Sequence, residues 1–584
     1  MRELTPSLLA ILVLGALIYA NTLQAPFYFD DQGSIVKNTA IRIDGLEWKQ
    51  LYQAATSGPT PNRVVANLSF ALNYYLQGYT VRGYHLVNIG IHLLNACLVF
   101  VFALLTLHLI QGLPSQAERR QPPRVRYAIA LLAALIFVAH PIQVQSVTYI
   151  VQRMTSLATL FYLCALVGYI LGRMAKNGWL RAGLWLTALC SWLLALGSKE
   201  IAALLPFTIL LYELYFFQDL RLRYKWRGLS LLVLGLMSFV ALTLVWLGAD
   251  PWHYIQASYA HRDFTLGQRV LTEFRVIIMY LGLLLAPLPS RLSLLHEIPV
   301  SQSLFDPITT LLSLIALLAL FGTALMTARR FRLLSFCILW FFGHLAIESS
   351  VIGLELAYEH RLYLPDVGFS LVLAWAIVTL PRVSALLRAT AATLLVAALS
   401  LMTWQRNNTW REPVGFWSDI VAKYPDSYRG HVNLANALSE AGQYQAALEH
   451  DRRALRLHPE DALVYLNTGM TLLHLQQPGR ALKYLSISAR SARDLPEAQL
   501  AYAIGLQRAG RPNEALVYYR DALRLAPDDA RVMNGIGESL LLVGRTDLAL
   551  RYFRRALLLA PGDKEASRNL ARARSSLPEQ TTGP

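Results

Sequence analysis

The sequence has little charge and almost no cysteine. Asp, Glu, Lys and Arg supply 15% of its 584 residues, against about a quarter in an average soluble protein. A mean hydropathy of +0.38 excludes an ordinary soluble enzyme. The four cysteines, Cys97, Cys164, Cys190 and Cys337, each lie inside an apolar stretch. None has the spacing of a disulfide framework or a zinc site, and they read as small buried hydrophobes. No Ala-x-Ala cleavage site precedes Asp30, so the first apolar run reads as an uncleaved anchor. A contiguous basic tract is also missing. The net charge of +16 is dispersed in short clusters at 119–126, 173–181, 221–227, 329–332 and 382–388, which is the positive-inside pattern and argues against nucleic acid as a partner.

What the chain does have is a series of apolar runs long enough to cross a bilayer, at 7–23, 85–110, 127–140, 146–171, 180–198, 200–217, 229–248, 308–328, 332–350, 362–380 and 385–403. If the basic clusters are cytoplasmic, about eleven spans follow, with the N-terminus inside and the C-terminus outside. A further run at 268–287 carries Arg269, Glu273 and Arg275. One more crossing there spoils the alternation, so this run reads as re-entrant or surface-lying, lining a cavity. Membrane lipid is therefore a partner of residues 1–405.

After a linker at 406–424 the sequence becomes polar, Ala-rich and periodic. Pro425, Pro459, Pro527 and Pro561 recur every 34 residues, as do Ala447-Leu448, Ala481-Leu482, Ala515-Leu516 and Ala549-Leu550; only the third Pro is displaced, to Pro496. Small residues at that period let antiparallel helix pairs pack closely. The pattern resembles about four tetratricopeptide repeats over 425–574, followed by a polar tail at 575–584. The class is all-α: a polytopic membrane domain followed by an α-solenoid.

The polar residues of the loops facing away from the basic clusters fall on one side. Asp30 and Asp31 directly follow the first span, where paired carboxylates are costly unless water or substrate meets them. On the same side lie Asn38, Arg63, His85, Asn88, His92, His140, Gln145, Arg153, Lys199, Glu200, Arg275, His296, Glu359, His360, Arg361 and Tyr363. An acid there can serve as general base toward a hydroxyl, while Arg153, Lys199 and Arg361 hold a phosphate leaving group, a set suited to phosphate-activated group transfer. Each has a plainer reading. The aspartates can cap a helix, Arg153 can be paired internally, Lys199-Glu200 can be an ion pair at a turn, His140-Pro141 can be a helix break, and His85 and His92 can be satisfied core imidazoles. His85 and His92 stand seven apart rather than at the i, i+4 spacing of a two-His helical ligand pair, so no metal site is assigned. Arg406, Trp410 and Trp417 read as an interfacial belt without chemistry.

The ordered set Phe29-Asp30-Asp31, Ile35, Asn38, Arg63, Ser69-Phe70, Leu72-Asn73-Tyr74, His85-Leu86-Val87-Asn88, His92, His140-Pro141, Lys199-Glu200 and Glu359 to Pro365 resembles the transmembrane and tetratricopeptide-repeat protein O-mannosyltransferases and their bacterial relatives. The resemblance covers almost the whole chain. It implies a C-type glycosyltransferase fold, an acid of the first outer loop as base, and a polyprenyl-phosphate sugar as donor. On that reading Asp30 or Asp31 deprotonates a Ser or Thr hydroxyl, the phosphate leaves against Arg153, Lys199 or Arg361, and the repeats present the acceptor protein. In one departure, Gln145 stands where relatives often carry an acid after His-Pro, which weakens a two-acid mechanism or a shared divalent metal and leaves metal dependence open. The expected location is a bacterial inner membrane with periplasmic repeats, the alternative being the endoplasmic reticulum membrane with lumenal repeats. Two competing functions remain at this stage: transfer to a lipid-linked glycan or polysaccharide, and a non-catalytic membrane-anchored repeat scaffold for envelope assembly.

Overall fold

The computed structural model describes residues 4–113, 115, 121–221, 250–260 and 262–576, with isolated positions between 233 and 248. Every regular element among these is helical. The chain divides into two compact units, Met1–Glu412 and Pro413–Pro584.

Among the described residues of the first unit, seven helical segments are long and apolar enough to cross a membrane: Leu4–Thr22, Val81–Gly112, Ile150–Met174, Gly178–Leu196, Glu200–Phe217, Thr309–Thr327 and Ala385–Thr409. The run at 127–140 forms Pro123–Ala139, which bends by 48° into Pro141–Val147 and counts as an eighth if the pair is one span. The break has a clear cause. Pro141 has no N–H to continue the ladder, and His140 caps the new turn by accepting the Ile142 N–H on its ring. The runs at 332–350 and 362–380 hold the shorter apolar helices Arg332–Leu345 and Pro365–Val378. The run at 229–248 lies mostly outside the described residues. The charged run near 268 is one unbroken helix, Leu266–Leu285, started by a capping box between Thr265 and Gln268. Its inner face buries Val276, Tyr280, Leu283 and Leu284 against Ile142, Phe341 and Leu362, an apolar floor beneath the polar loops.

The second unit is four helix pairs and a final helix, Lys564–Ser575, led by a helix at Pro413–Lys423 that belongs to this unit rather than to a linker. The 34-residue period is legible in the caps. Ser427, Asp461, Asp529 and Asp563 each accept a backbone N–H at the start of a repeat. The third repeat has Leu495 at that position and uses Pro496 at the first helical turn instead, which accounts for the displaced Pro. The turn inside each pair needs one left-handed residue. Gly442, Gly510 and Gly544 supply it with φ of 75°, 75° and 78°, but the second repeat places Gln476 there at φ 57°. A side chain in that region costs about 1 kcal/mol relative to glycine. Gln476→Gly is therefore expected to stabilise the repeats by about that amount, read as a raised thermal midpoint; an unchanged or lowered midpoint contradicts the assignment.

Candidate functional site

The acid pair sits in a short loop, and its two carboxylates differ in environment. Asp31 is fully buried, with Oδ2 accepting the Tyr28 N–H at 2.9 Å and Oδ1 the Val151 N–H at 2.7 Å. Burial pushes its pKa up to about 8, although the two backbone bonds pull the other way. Asp30 is exposed, and its backbone N–H donates to the Tyr149 hydroxyl at 2.8 Å. Asp31 thus braces the loop while Asp30 faces outward from it. Phe29, between Tyr28 and Asp30, is held at φ 37°, a left-handed conformation that persists only where its surroundings enforce it. His85 contributes by donating from Nε2 to the Ala25 carbonyl at 2.8 Å, upstream of the acids.

The cations differ in how far they are neutralised. Arg153 is sealed within the helices: it donates to Asn88 Oδ1 at 2.6 Å and to the Ser69 and Tyr84 carbonyls, with its guanidinium over Phe70 and Tyr84. Arg63 forms a two-pronged pair with Glu200, at 2.7 and 3.2 Å. Lys199 donates to Glu348 at 2.7 Å and to Thr155 at 3.1 Å, with both ends of the ion pair buried. Arg361, like Arg153, has no ion pair among the described residues, but it differs in leaving a donor unused. It is buried, donates to the Glu355 and Leu356 carbonyls, leaves Nε without a partner and, among the described residues, has no carboxylate within ion-pair distance. Its neighbour His360 donates from Nδ1 to Gln145 Oε1 at 2.9 Å, and the same oxygen accepts the His360 N–H at 2.7 Å. Burial, and then the charges of Lys199, Arg361 and Arg63, hold His360 well below the usual imidazole range. It is a neutral ring.

Arg63, Gln145, Lys199, Glu200, His360 and Arg361 therefore form one neighbourhood, and Asp30, Asp31 and Arg153 are joined to it through the 149–153 segment. The remaining candidates take other roles. Asn38 caps a short helix through the Ala40 N–H. His140 donates to the Leu284 carbonyl. Tyr363 is buried against His92 and Asn95. Arg275 holds the Pro299 carbonyl. Glu359 accepts the Ser293 N–H and faces His296 at 3.1 Å. Among the described residues no group of three or more His, Cys, Asp or Glu is placed to hold a metal ion.

Sequence reasoning did not single out Glu348 or Tyr149, nor Arg269 as a site residue. Glu348 was detectable in principle, being an acid inside a run counted as apolar. Arg269 donates to the carbonyls of Glu348, Ser350 and Glu355, and so shapes the loop that delivers Glu348 to Lys199 and that Arg361 grips. Beside this loop is a cavity of about 760 Å³, lined among others by Trp252, Tyr259, Arg262 and Gln268. Trp410 is fully buried rather than interfacial, because Tyr28 and Tyr149 enclose it.

The tetratricopeptide repeat family model matches residues 432–496 and 494–562. Protein O-mannosyl-transferase Tmtc3 of Drosophila melanogaster is 25% identical over 539 residues, 81% of this chain and 57% of that protein. Protein O-mannosyl-transferase F38B6.6 of Caenorhabditis elegans is 23% identical and covers 78% of this chain and 63% of its own. The chain is similar to these proteins over most of its own length. It spans less than two thirds of the length of either. A third relative, protein O-mannosyl-transferase TMTC2 of Mus musculus, is 28% identical over 47% of this chain and 33% of its own. Among solved structures, the tetratricopeptide-repeat protein YrrB aligns at 19% identity over 31% of this chain and 89% of its own, with a TM-score of 0.24.

Proposed function

We propose that this protein is a membrane glycosyltransferase that moves a sugar from a polyprenyl-phosphate donor to Ser or Thr hydroxyls of a protein, on the side of the membrane away from the basic loops. The observation that carries the reading is a buried guanidinium, Arg361, that bonds only carbonyls and leaves Nε unpartnered, in the same unit as an exposed carboxylate on a braced loop. Asp30 takes the hydroxyl proton. The hydroxyl oxygen bonds to the anomeric carbon as the bond from that carbon to the phosphate oxygen breaks, with inversion. The departing lipid phosphate carries the electron pair and is stabilised by Arg361, with Lys199 near enough to share the charge once Glu348 yields. A buried cation that is only partly satisfied is expensive, and a bound phosphodiester supplies both an acceptor for Nε and a charge in direct contact. The relatives' shared name, protein O-mannosyl-transferase, supports the acceptor class, and repeats of this type suit the capture of an extended segment of the acceptor.

The test is purified full-length protein, a polyprenyl-phosphate mannose and a Ser/Thr peptide, with the product read as a one-hexose mass increment. Arg361→Gln is expected to weaken donor use at least tenfold, since a charge-assisted contact to phosphate contributes about 1.5–3 kcal/mol. Wild-type donor kinetics in that variant contradict the phosphate assignment.

A further inference from the structure

The acid loop is held from the far end of the first unit. Trp410, 382 residues beyond Tyr28, accepts the Tyr28 hydroxyl on its carbonyl at 2.8 Å. Its buried indole meets the Tyr28 ring edge-on, with centroids 5.5 Å apart, and the Tyr149 ring at 5.7 Å. Those two tyrosines flank Asp30: Tyr28 precedes it by two residues and donates its N–H to Asp31, while the Tyr149 hydroxyl accepts the Asp30 N–H. The end of the last span adds three further ties. Asn407 accepts the Thr148 hydroxyl at 2.8 Å and donates to the Ile18 carbonyl at 3.0 Å, and Asn21 donates to Asn408 at 2.8 Å. Both segments that define the acid loop, 18–31 and 148–151, are thus tied to residues 407–410.

We propose that Trp410, acting through Tyr28 and Tyr149, is a positioning residue that sets the aim of the Asp30 carboxylate. The inference rests on the reading of Asp30 as the base. Phe29 at φ 37° is a conformation the loop abandons unless it is gripped on both sides. Asp31 grips one side through the Val151 N–H, and the Trp410 clasp grips the other. Large rings with few rotatable bonds suit that task, since they fill the space beneath a loop at small entropic cost. The clasp closes before Pro413, where the second unit begins, so the catalytic loop takes its shape from the stretch of chain that leads out to the repeats.

The experiment uses full-length protein in detergent, with kcat, donor KM and amide hydrogen exchange of residues 27–32 measured for Trp410→Ala, Trp410→Phe and Tyr149→Phe. Trp410→Ala and Tyr149→Phe are expected to lower kcat at least tenfold, hold donor KM within twofold and speed exchange at the Asp30 amide, with Trp410→Phe restoring most of both. A Gly-Ser insertion after Glu412 is expected to leave kcat unchanged, whereas the same insertion before Trp410 reproduces the alanine phenotype. Wild-type kcat in Trp410→Ala overturns the proposal, as does unchanged exchange at Asp30. A parallel loss of kcat, donor affinity and thermal midpoint also overturns it, because that is the signature of a merely structural residue. If the wild type transfers no sugar, the transferase reading fails by itself, and the exchange comparison still decides whether Trp410 grips the loop.

Discussion

Asp30→Asn is expected to lower transfer by about two to four orders of magnitude, the usual worth of a general base, with donor KM and expression near wild type. An exposed side chain on a braced loop can be exchanged for its amide without disturbing its supports. Asp31→Asn is expected to behave differently. Both Asp31 oxygens accept backbone N–H groups, so an amide there sets its own NH2 against one of them. That mismatch costs about 1–3 kcal/mol and displaces the loop, giving a partial loss of kcat together with reduced thermal stability. The comparison is made by steady-state kinetics and thermal unfolding of the two variants side by side. Full activity in Asp30→Asn with none in Asp31→Asn reverses the assignment.

Asp451→Leu is expected to stabilise the repeat unit above pH 7. In the other three repeats this core position holds Leu485, Tyr519 or Phe553, all buried; the first repeat buries a carboxyl there, which accepts the Thr471 hydroxyl at 3.1 Å. Burial pushes the Asp451 pKa up to about 7. Because the folded state holds this proton more tightly than the unfolded chain, stability falls as pH rises from about 4 to about 7 and is level above that. About three units correspond to roughly 4 kcal/mol. Neighbouring His450, held low by burial and by His431, acts in the opposite sense, so the difference between variant and wild type isolates Asp451. Thermal midpoints between pH 4 and pH 8 are expected to diverge with rising pH, and a constant difference contradicts the buried-acid account.

How much was legible in the sequence depended on whether a signal was local. The repeats were readable because a 34-residue period places caps, small residues and turn glycines in register, and Leu495 and Gln476 are departures from that register that the structure resolves. Asp30 and Asp31 were readable as a site because charge directly after an apolar run is costly. Which of them faces outward was not, since that depends on the Val151 amide, brought there by another helix. Lys199 and Arg361 carry the same charge in the sequence, yet Glu348 pairs directly with one, while among the described residues the other bonds only to carbonyls. Hydropathy counted apolar runs without seeing where they bend, as at His140-Pro141, or how short they become, as in Pro365–Val378. Trp410 looked interfacial because a Trp after a span usually is, and only the fold places two tyrosines around it.

The central claim is that a sugar passes from a lipid phosphate to a protein hydroxyl on this chain. The most direct measurement follows a radiolabelled sugar from a polyprenyl-phosphate donor in membranes carrying wild type or Asp30→Asn, with protein, lipid and glycan separated afterwards. The account predicts label in a protein fraction that is released by β-elimination from Ser or Thr and is absent from the Asp30→Asn membranes. Label confined to lipid or glycan, or protein label that survives the substitution, contradicts it.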